Sequence, residues 1–256
     1  MKPVYVRGLG LWAPGYASAE AWCRGTFDPS VDAPEVGLLS GPLRRRATRL
    51  TRMAVEVLQQ ATSAAGCDVA TVPIVWATCH GEHASAIKIL GMMRSGEGKL
   101  SPTHFHNSVH NTASGYASIA TGNRAPSTTL TGGVELVAST FLEAICHLEA
   151  AAESVVVVLA DELLMPPFDQ SDGTSPLALA FCLSSRLEGA SAVLSGFRRD
   201  AVAPVKHHDR FGRLYLGAAL PLLERIVFRR PGTVALELVG ERSGPVSCVD
   251  LELVGA

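Results

Sequence analysis

The sequence has no apolar run long enough to cross a bilayer. Its longest, VVVVLA (155–160) and PLALAFCL (176–183), fall far short of the roughly 20 residues that a helical span needs. Basic charge is not in excess either: 22 Lys and Arg stand against 24 Asp and Glu, a formal net charge of −2, so no overall positive field points to nucleic acid. Aromatic residues are scarce at 6% and charged residues at 18%. Six cysteines (Cys23, Cys67, Cys79, Cys146, Cys182, Cys248) are scattered with no CxxC pair, and no secretory signal peptide is visible. That pattern argues against a disulfide framework, so free thiols in a reducing cytoplasm are the expectation. What fills the composition is apolar, at 47%, with a mean hydropathy of +0.23. For a chain without a membrane span this is high, and it implies apolar surface buried against a partner.

Periodicity places the elements. Residues 3–12 (PVYVRGLGLW) read as a strand ending at a Gly-rich turn, and 20–42, rich in Pro, Gly and Asp, as an irregular connection. RRRATRLTRMAVEVLQQATSAAG (44–66) is the clearest helix, because Leu50, Met53, Ala54, Val57, Leu58 and Ala61 form one continuous apolar face. TVPIVWATC (71–79) reads as a buried strand, 84–93 as a helix, and 111–122 as a helix of small residues that lets backbones approach closely. STTLTG is a strand, 134–153 a second apolar helix, and VVVVLAD (155–161) a strand buried on both faces. PLALAFCLSS and ASAVLSGFR are expected to form an antiparallel pair joined at Glu188-Gly189. This alternation predicts a layered α/β sheet. Beyond residue 200 the pattern changes: KHHDRFGRLYLG is polar and irregular, LPLLERIVF a short helix, and VALELVG and CVDLELVGA two strands around ERSGP. The expectation is one domain over 1–256, with its main α/β core at 3–195 and an abbreviated segment at 196–256.

Several groups carry possible chemistry. His80 and His83 are three apart, and His104, His106 and His110 cluster in THFHNSVHN; such spacings can surround a metal, but only Glu82 is nearby as a carboxylate, and loop histidines are common. No metal or cofactor is assigned. Cys79, at a strand end beside His80, is either an activated thiolate or a buried core thiol, and Cys146, inside an apolar helix, reads as core. Arg44, Arg45, Arg46, Arg49 and Arg52 form a basic helix end, which is a solvated face or a docking surface for an acidic or phosphate-bearing partner. Asp161-Glu162 end a strand where α/β sheets place sites, with a solvated strand end as the plainer reading. Lastly, APSTTLTGGVELVAST (125–140) is a strand, a Gly-Gly turn and a helix, a common mount for a nucleophile, yet Val134 and Glu135 follow the turn.

SPTHFHNSVHNTASGYASIATGNRAPSTTLTGG resembles the central segment of the β-ketoacyl-ACP synthases, the condensing enzymes of fatty acid and polyketide synthesis. Asn111, Ala113, Gly115, Ala125-Pro126 and the strand at 127–131 follow the family's order and spacing, VRGLGLWAPG is similar to its opening strand, and RRRATRLTRMAVEVLQQA and VVVVLADELL to two later elements. The resemblance covers residues 3 to about 195 and implies a thiolase-like fold. Counting on from the proline as the family does, Val134 stands where the acyl-accepting cysteine belongs. The family's two histidine motifs are absent, and His207-His208-Asp209 match neither. Claisen condensation needs the thiolate and both imidazoles.

The resemblance therefore implies a non-catalytic subunit like the chain-length factors of type II polyketide systems, similar to shortened homologues of aryl polyene and xanthomonadin pigment pathways. Glu135 is similar to an acidic residue of that group. Such a subunit pairs with an active ketosynthase, shapes its acyl tunnel, and meets an acyl carrier protein. Ser108, Val109, His110 and Asn111, with Thr129 and Thr131, are the implied tunnel and dimer-interface residues; Arg45, Arg49 and Arg52 are the implied carrier contacts. Two other readings stay open: an acyltransferase or thioesterase using Cys79 with His80 or His83, and a free-standing carrier-binding module.

Overall fold

The computed structural model describes residues 2–96, 101–164, 168, 175–212, 214–239 and 244–255. Its centre is β4 (Ser154–Asp161), in which successive valines point to opposite faces of a mixed sheet: Val155, Val157 and Leu159 to one, Val156, Val158 and Ala160 to the other. To one side of β4 lie, in parallel, β2 (Ile74–Ala77) and the edge strand β3 (Ser127–Leu130). On the other side follow β5 (Leu177–Ser184), β1 (Val4–Trp12), β6 (Ala192–Asp200), β8 (Val246–Leu253) and β7 (Gly232–Ala235), each antiparallel to its neighbour. The expected pairing of the segments either side of Glu188-Gly189 does not occur. β1 lies between β5 and β6 and is antiparallel to both, so those two strands run in the same direction. Local hydrophobicity identifies both as strands but cannot reveal that the N-terminal strand inserts between them.

The two faces are built differently. Under α3 (Arg49–Ala65) β5 presents Ala178, Ala180 and Cys182, and β1 presents Gly8 and Gly10. A Cβ on Gly8 or Gly10 would fall on the carbonyl oxygens of Ala61 and Val57, so the two glycines set how closely the helix lies on the sheet. A bulge between Val6 and Gly8 makes this possible. It switches the strand's parity, so that Val4 and Val6 before it and Leu11 after it all reach the opposite face. That opposite face carries the large residues Leu177, Leu179, Phe181 and Leu183, packed against α7 (Leu136–Glu149), a 3-10 turn at Tyr215–Ala219 and α8 (Leu220–Val227).

The long helix expected over 44–66 is two elements, α2 (Gly41–Arg46) and α3. Ala47 and Thr48 between them are extended, and the Thr48 hydroxyl accepts the Thr51 N–H as the N-cap of α3. The remaining helices are α1 (Ala19–Cys23), α4 (His83–Ser95), α5 (Pro102–His106) and α6 (Thr112–Thr121). In α6 the buried residues are Thr112, Tyr116 and Ala117, while Gly115 is exposed, with open space beside it. Cys146 is also unlike its expectation: it sits on the exposed side of α7. Beyond β6, His208 and Phe211 stack with Trp22, and Arg210 lies over Tyr16 and Phe27. Most of the ERSGP connection lies outside the described residues.

Candidate functional site

The strand, turn and helix at 127–149 exist as the sequence implies. β3 leads through Gly132-Gly133 into α7, with Val134 half-buried just ahead of the helix and Glu135 at its N-cap position. Val134 carries no nucleophilic atom, and neither residue is a Cys, Ser or Lys. The Glu135 side chain makes no cap hydrogen bond and instead forms an ion pair with Arg199 of β6 at 3.2 Å. Arg199 also donates to the Pro245 carbonyl at 2.7 Å, tying the head of α7 to the strand region beside it. His207 and His208 are taken up by the chain's own structure: the His207 ring meets the Gly212 carbonyl, and His208 accepts the Arg210 N–H and stacks on Trp22.

A cleft opens on the other face of the sheet, between α3, α6 and the strands β2, β3 and β4. Its walls are mostly apolar, with Leu50, Ala54, Trp76 and Val158 among them, and its polar groups are Thr78, Glu82, His110, Ser114 and Thr129. The loop that brings Glu82 there is anchored by Asp161. This carboxylate is fully buried, accepts the Thr78 hydroxyl at 2.6 Å, and takes the backbone N–H groups of Cys79 and His80. Thr78 in turn accepts the Gly81 N–H at 2.9 Å. Gly81 has φ +55° and lies against the backbone of His110, so a side chain there would be both strained and crowded. Burial outweighs these hydrogen bonds and pushes Asp161 up to about 6. The solvated strand end expected at Asp161 is thus a buried anchor.

Glu82 is 4% exposed. One of its oxygens, Oε1, accepts both the Thr48 hydroxyl (2.6 Å) and the Thr51 hydroxyl (2.9 Å) at the head of α3, and burial pushes the carboxyl up to about 7. Cys79 is the reverse of an activated thiolate: burial, then the Asp161 charge, raises it to about 12. His80 and His83 stand with ring centroids 6.3 Å apart. Among the described residues no three His, Cys, Asp or Glu side chains come together to hold a metal ion.

Of the implied interface residues, His110 and Thr129 both line the cleft, which the sequence alone does not show. Val109 is 49% exposed ahead of α6, Asn111 is its N-cap, the Ser108 hydroxyl donates to the Phe105 carbonyl, and Thr131 is exposed beyond β3. The implied carrier contacts separate. Arg45 is exposed on α2, Arg49 lies over the Trp12 ring at 5.7 Å, and Arg52 donates to the Arg44 carbonyl across the α2–α3 break. The sequence does not bring Glu82, Trp76, Ala113 and Ser114 together, and its one signal is the lone carboxylate in the run ATCHGEHAS.

A family described as "Beta-ketoacyl synthase, N-terminal domain" matches residues 19–210. No curated protein matches the sequence. Among solved structures, the complex of the ketosynthase ApeO with its chain length factor ApeC from Xenorhabdus doucetiae contains a chain 20% identical to this one. It covers 98% of this chain and 100% of its own, with a TM-score of 0.70. The ishigamide ketosynthase/chain length factor matches at 14% identity over 100% of both chains, with a TM-score of 0.74. A type II polyketide acyl-carrier protein complex with its ketosynthase bound to the hexaketide, AntDE:AntF, matches at 14% identity over 99% and 100%, with a TM-score of 0.72. No helix among the described residues is long and apolar enough to cross a membrane.

Proposed function

Because the chain belongs to the β-ketoacyl synthase N-terminal domain family and has its thiolase-like fold, we propose that it is a non-catalytic subunit of the chain-length-factor type. In this reading it pairs with an active β-ketoacyl-ACP synthase in fatty-acid or polyketide-type elongation, of the aryl polyene kind, and shapes the partner's acyl tunnel. The observation that carries the reading is Val134: the mount for a nucleophile is intact, and a side chain without a nucleophilic atom occupies it. The raised Cys79 thiol offers no substitute.

Pairing is supported by what one side of the fold leaves open. Among the described residues β3 ends the sheet, and no strand lies beside one row of its backbone groups. The small face of α6 is open at Gly115, and Leu90, Met93, Phe105, Val109 and Ile119, all between residues 83 and 121, are large and exposed. A heterodimer closing on β3 and α6 would bring a partner's tunnel to the cleft lined by His110 and Thr129. Carrier docking falls to α2, where Arg44, Arg45 and Arg46 are exposed.

The test is co-expression with a partner ketosynthase, followed by mass determination of the complex and acyl loading of both chains. A one-to-one complex in which only the partner is acylated is expected. Val109→Trp is expected to leave the complex intact and shorten its products; unchanged product lengths would remove Val109 from the tunnel, and acylation of this chain would overturn the reading.

A further inference from the structure

Two thiols meet where the end of α3 is laid on the sheet. α3 ends in a left-handed glycine, Gly66 at φ +63°, whose N–H donates to the Ser63 carbonyl while the Cys67 N–H donates to that of Thr62. This pair of bonds is a Schellman motif, and it turns Cys67 back against the core that the helix covers. Beneath it the sheet offers Cys182, fully buried in β5 and paired in register with Gly8 of β1. Because Gly8 has no Cβ, the last turns of α3 come down to the sheet there, with backbone atoms of Ala61 and Ala65 in its place. The two sulfurs lie 3.3 Å apart across 115 residues of sequence. Their surroundings differ. Cys67 is half-buried, whereas Cys182 is out of solvent reach. The Cys67 thiol is lowered, first by the hydrogen bond with Cys182, then by the Ser154 hydroxyl and the Arg7 charge, against burial and the Glu153 charge. Cys182 is raised, first by the same hydrogen bond and then by burial, so the shared proton rests on Cys182.

We propose that Cys67 and Cys182 are a redox pair, in which a hydroperoxide oxidises Cys67 and Cys182 closes a disulfide with it. The Cys67 thiolate sulfur takes one peroxide oxygen, the O–O bond breaks, hydroxide leaves, and a sulfenic acid remains. The Cys182 sulfur then attacks the Cys67 sulfur, the S–O bond breaks, and the Cys182 proton leaves with the hydroxyl as water. Both sulfurs are thereby oxidised and the peroxide is reduced. A disulfide holds its sulfurs about 2.05 Å apart, so the pair has roughly 1 Å to close from 3.3 Å. Cys67 can yield that distance, because residues 67–73 belong to neither helix nor strand, whereas Cys182 is held in the sheet by β1 and β4. Neither thiol belongs to the Val134 turn or lines the cleft, so the pair operates whatever the chain's partner is.

The test uses the full chain, reduced and freed of reductant, then treated with hydrogen peroxide at neutral pH and blocked with N-ethylmaleimide. A peptide map without reduction is expected to show Cys67 joined to Cys182, with both lost to maleimide labelling. The bridge closes a loop of 115 residues, so the thermal denaturation midpoint should rise on the order of 10 °C and fall back when dithiothreitol is added. Cys67→Ser is expected to abolish both the cross-link and the rise. In Cys182→Ala, oxidation should stop at the Cys67 sulfenic acid, which dimedone traps as an adduct. Should Cys182→Ala fail to fold, the peptide map of the unmodified chain and of Cys67→Ser decides by itself. A Cys67 that stays reduced, that advances to sulfinic acid without a bridge, or that pairs with another cysteine overturns the proposal. So does a bridge that leaves the midpoint unraised, because it would then be one that forms in unfolded chains.

Discussion

Asp161 shows what a single residue does to the balance of this fold. Its carboxyl titrates from an ordinary 3.8 up to about 6 because burial penalises the charge more than Thr78, Cys79 and His80 stabilise it. The folded protein therefore holds a proton that the unfolded chain has released between roughly pH 4 and 6, and in that window stability falls as pH rises. Glu82, raised from 4.5 to about 7, adds a fall of the same sign up to neutrality. The stability of Asp161→Asn, which has nothing to ionise there, is the reference. Denaturation midpoints measured from pH 4 to 7 should show the wild type losing ground against the variant as pH rises; a constant or growing wild-type advantage would count against a buried Asp161. The thiols give a second test. Cys67, whose Sγ lies 3.3 Å from that of Cys182, is lowered by that contact, whereas Cys79 and Cys23 are pushed up to about 12 and 11 by burial. Iodoacetamide at neutral pH should mark Cys67 and spare Cys79 and Cys23, as read by peptide mass mapping. Rapid labelling of Cys79 would reopen it as a nucleophile.

At the scale of elements, the close seat of α3 on β1 and β5 organises one whole face. Gly8 and Gly10 are obligatory because backbone carbonyls of α3 occupy the space of a Cβ, and backbone cannot rotate away as a side chain can. Gly10→Ala should cost about 3 kcal/mol or more by overpacking, read as a lowered denaturation midpoint. Gly115→Ala, with nothing within 4 Å, should instead stabilise the isolated chain by about 0.5–1 kcal/mol, the helix preference for Ala over Gly. Equal effects at the two sites would show that α3 does not lie as close as its glycines require. The α2–α3 break belongs to this scale too. The apolar face of α3 is legible from residue 50 onward, and the arginine run hides the break, since arginine is a good helix former. Thr48 ends the helix early because its hydroxyl both caps α3 and donates to Glu82, a partner 34 residues away.

On the scale of the whole molecule, β3 and β7 are the two edge strands of the sheet among the described residues. The exposed Leu90, Met93, Phe105, Val109 and Ile119 belong to the segments that lead to β3 in sequence. Isolated surface residues of this kind are ordinary, but five within about thirty residues of sequence are a liability for a chain alone. Expressed by itself, the protein should bind a hydrophobic dye and self-associate; with the proposed ketosynthase partner both effects should fall. A dye-silent monomer would mean that no partner is needed to cover this side.

The sequence by itself determined the alternation of strands and helices, the small and large residues that distinguish the two faces, and that Val134 and Glu135, not a Cys, Ser or Lys, follow the Gly-Gly turn. Each of these is a local pattern, fixed by the period of the backbone and by which atoms a side chain carries. Tertiary structure alone decided that β1 separates β5 from β6, that Asp161 is buried beneath a loop some 80 residues earlier in the chain, and that Glu82 meets His110 and Thr129 across one cleft. Those facts depend on which surfaces meet. The energy of a buried carboxylate is set by the donors that assembly brings to it, and the chain's local pattern contains no record of them.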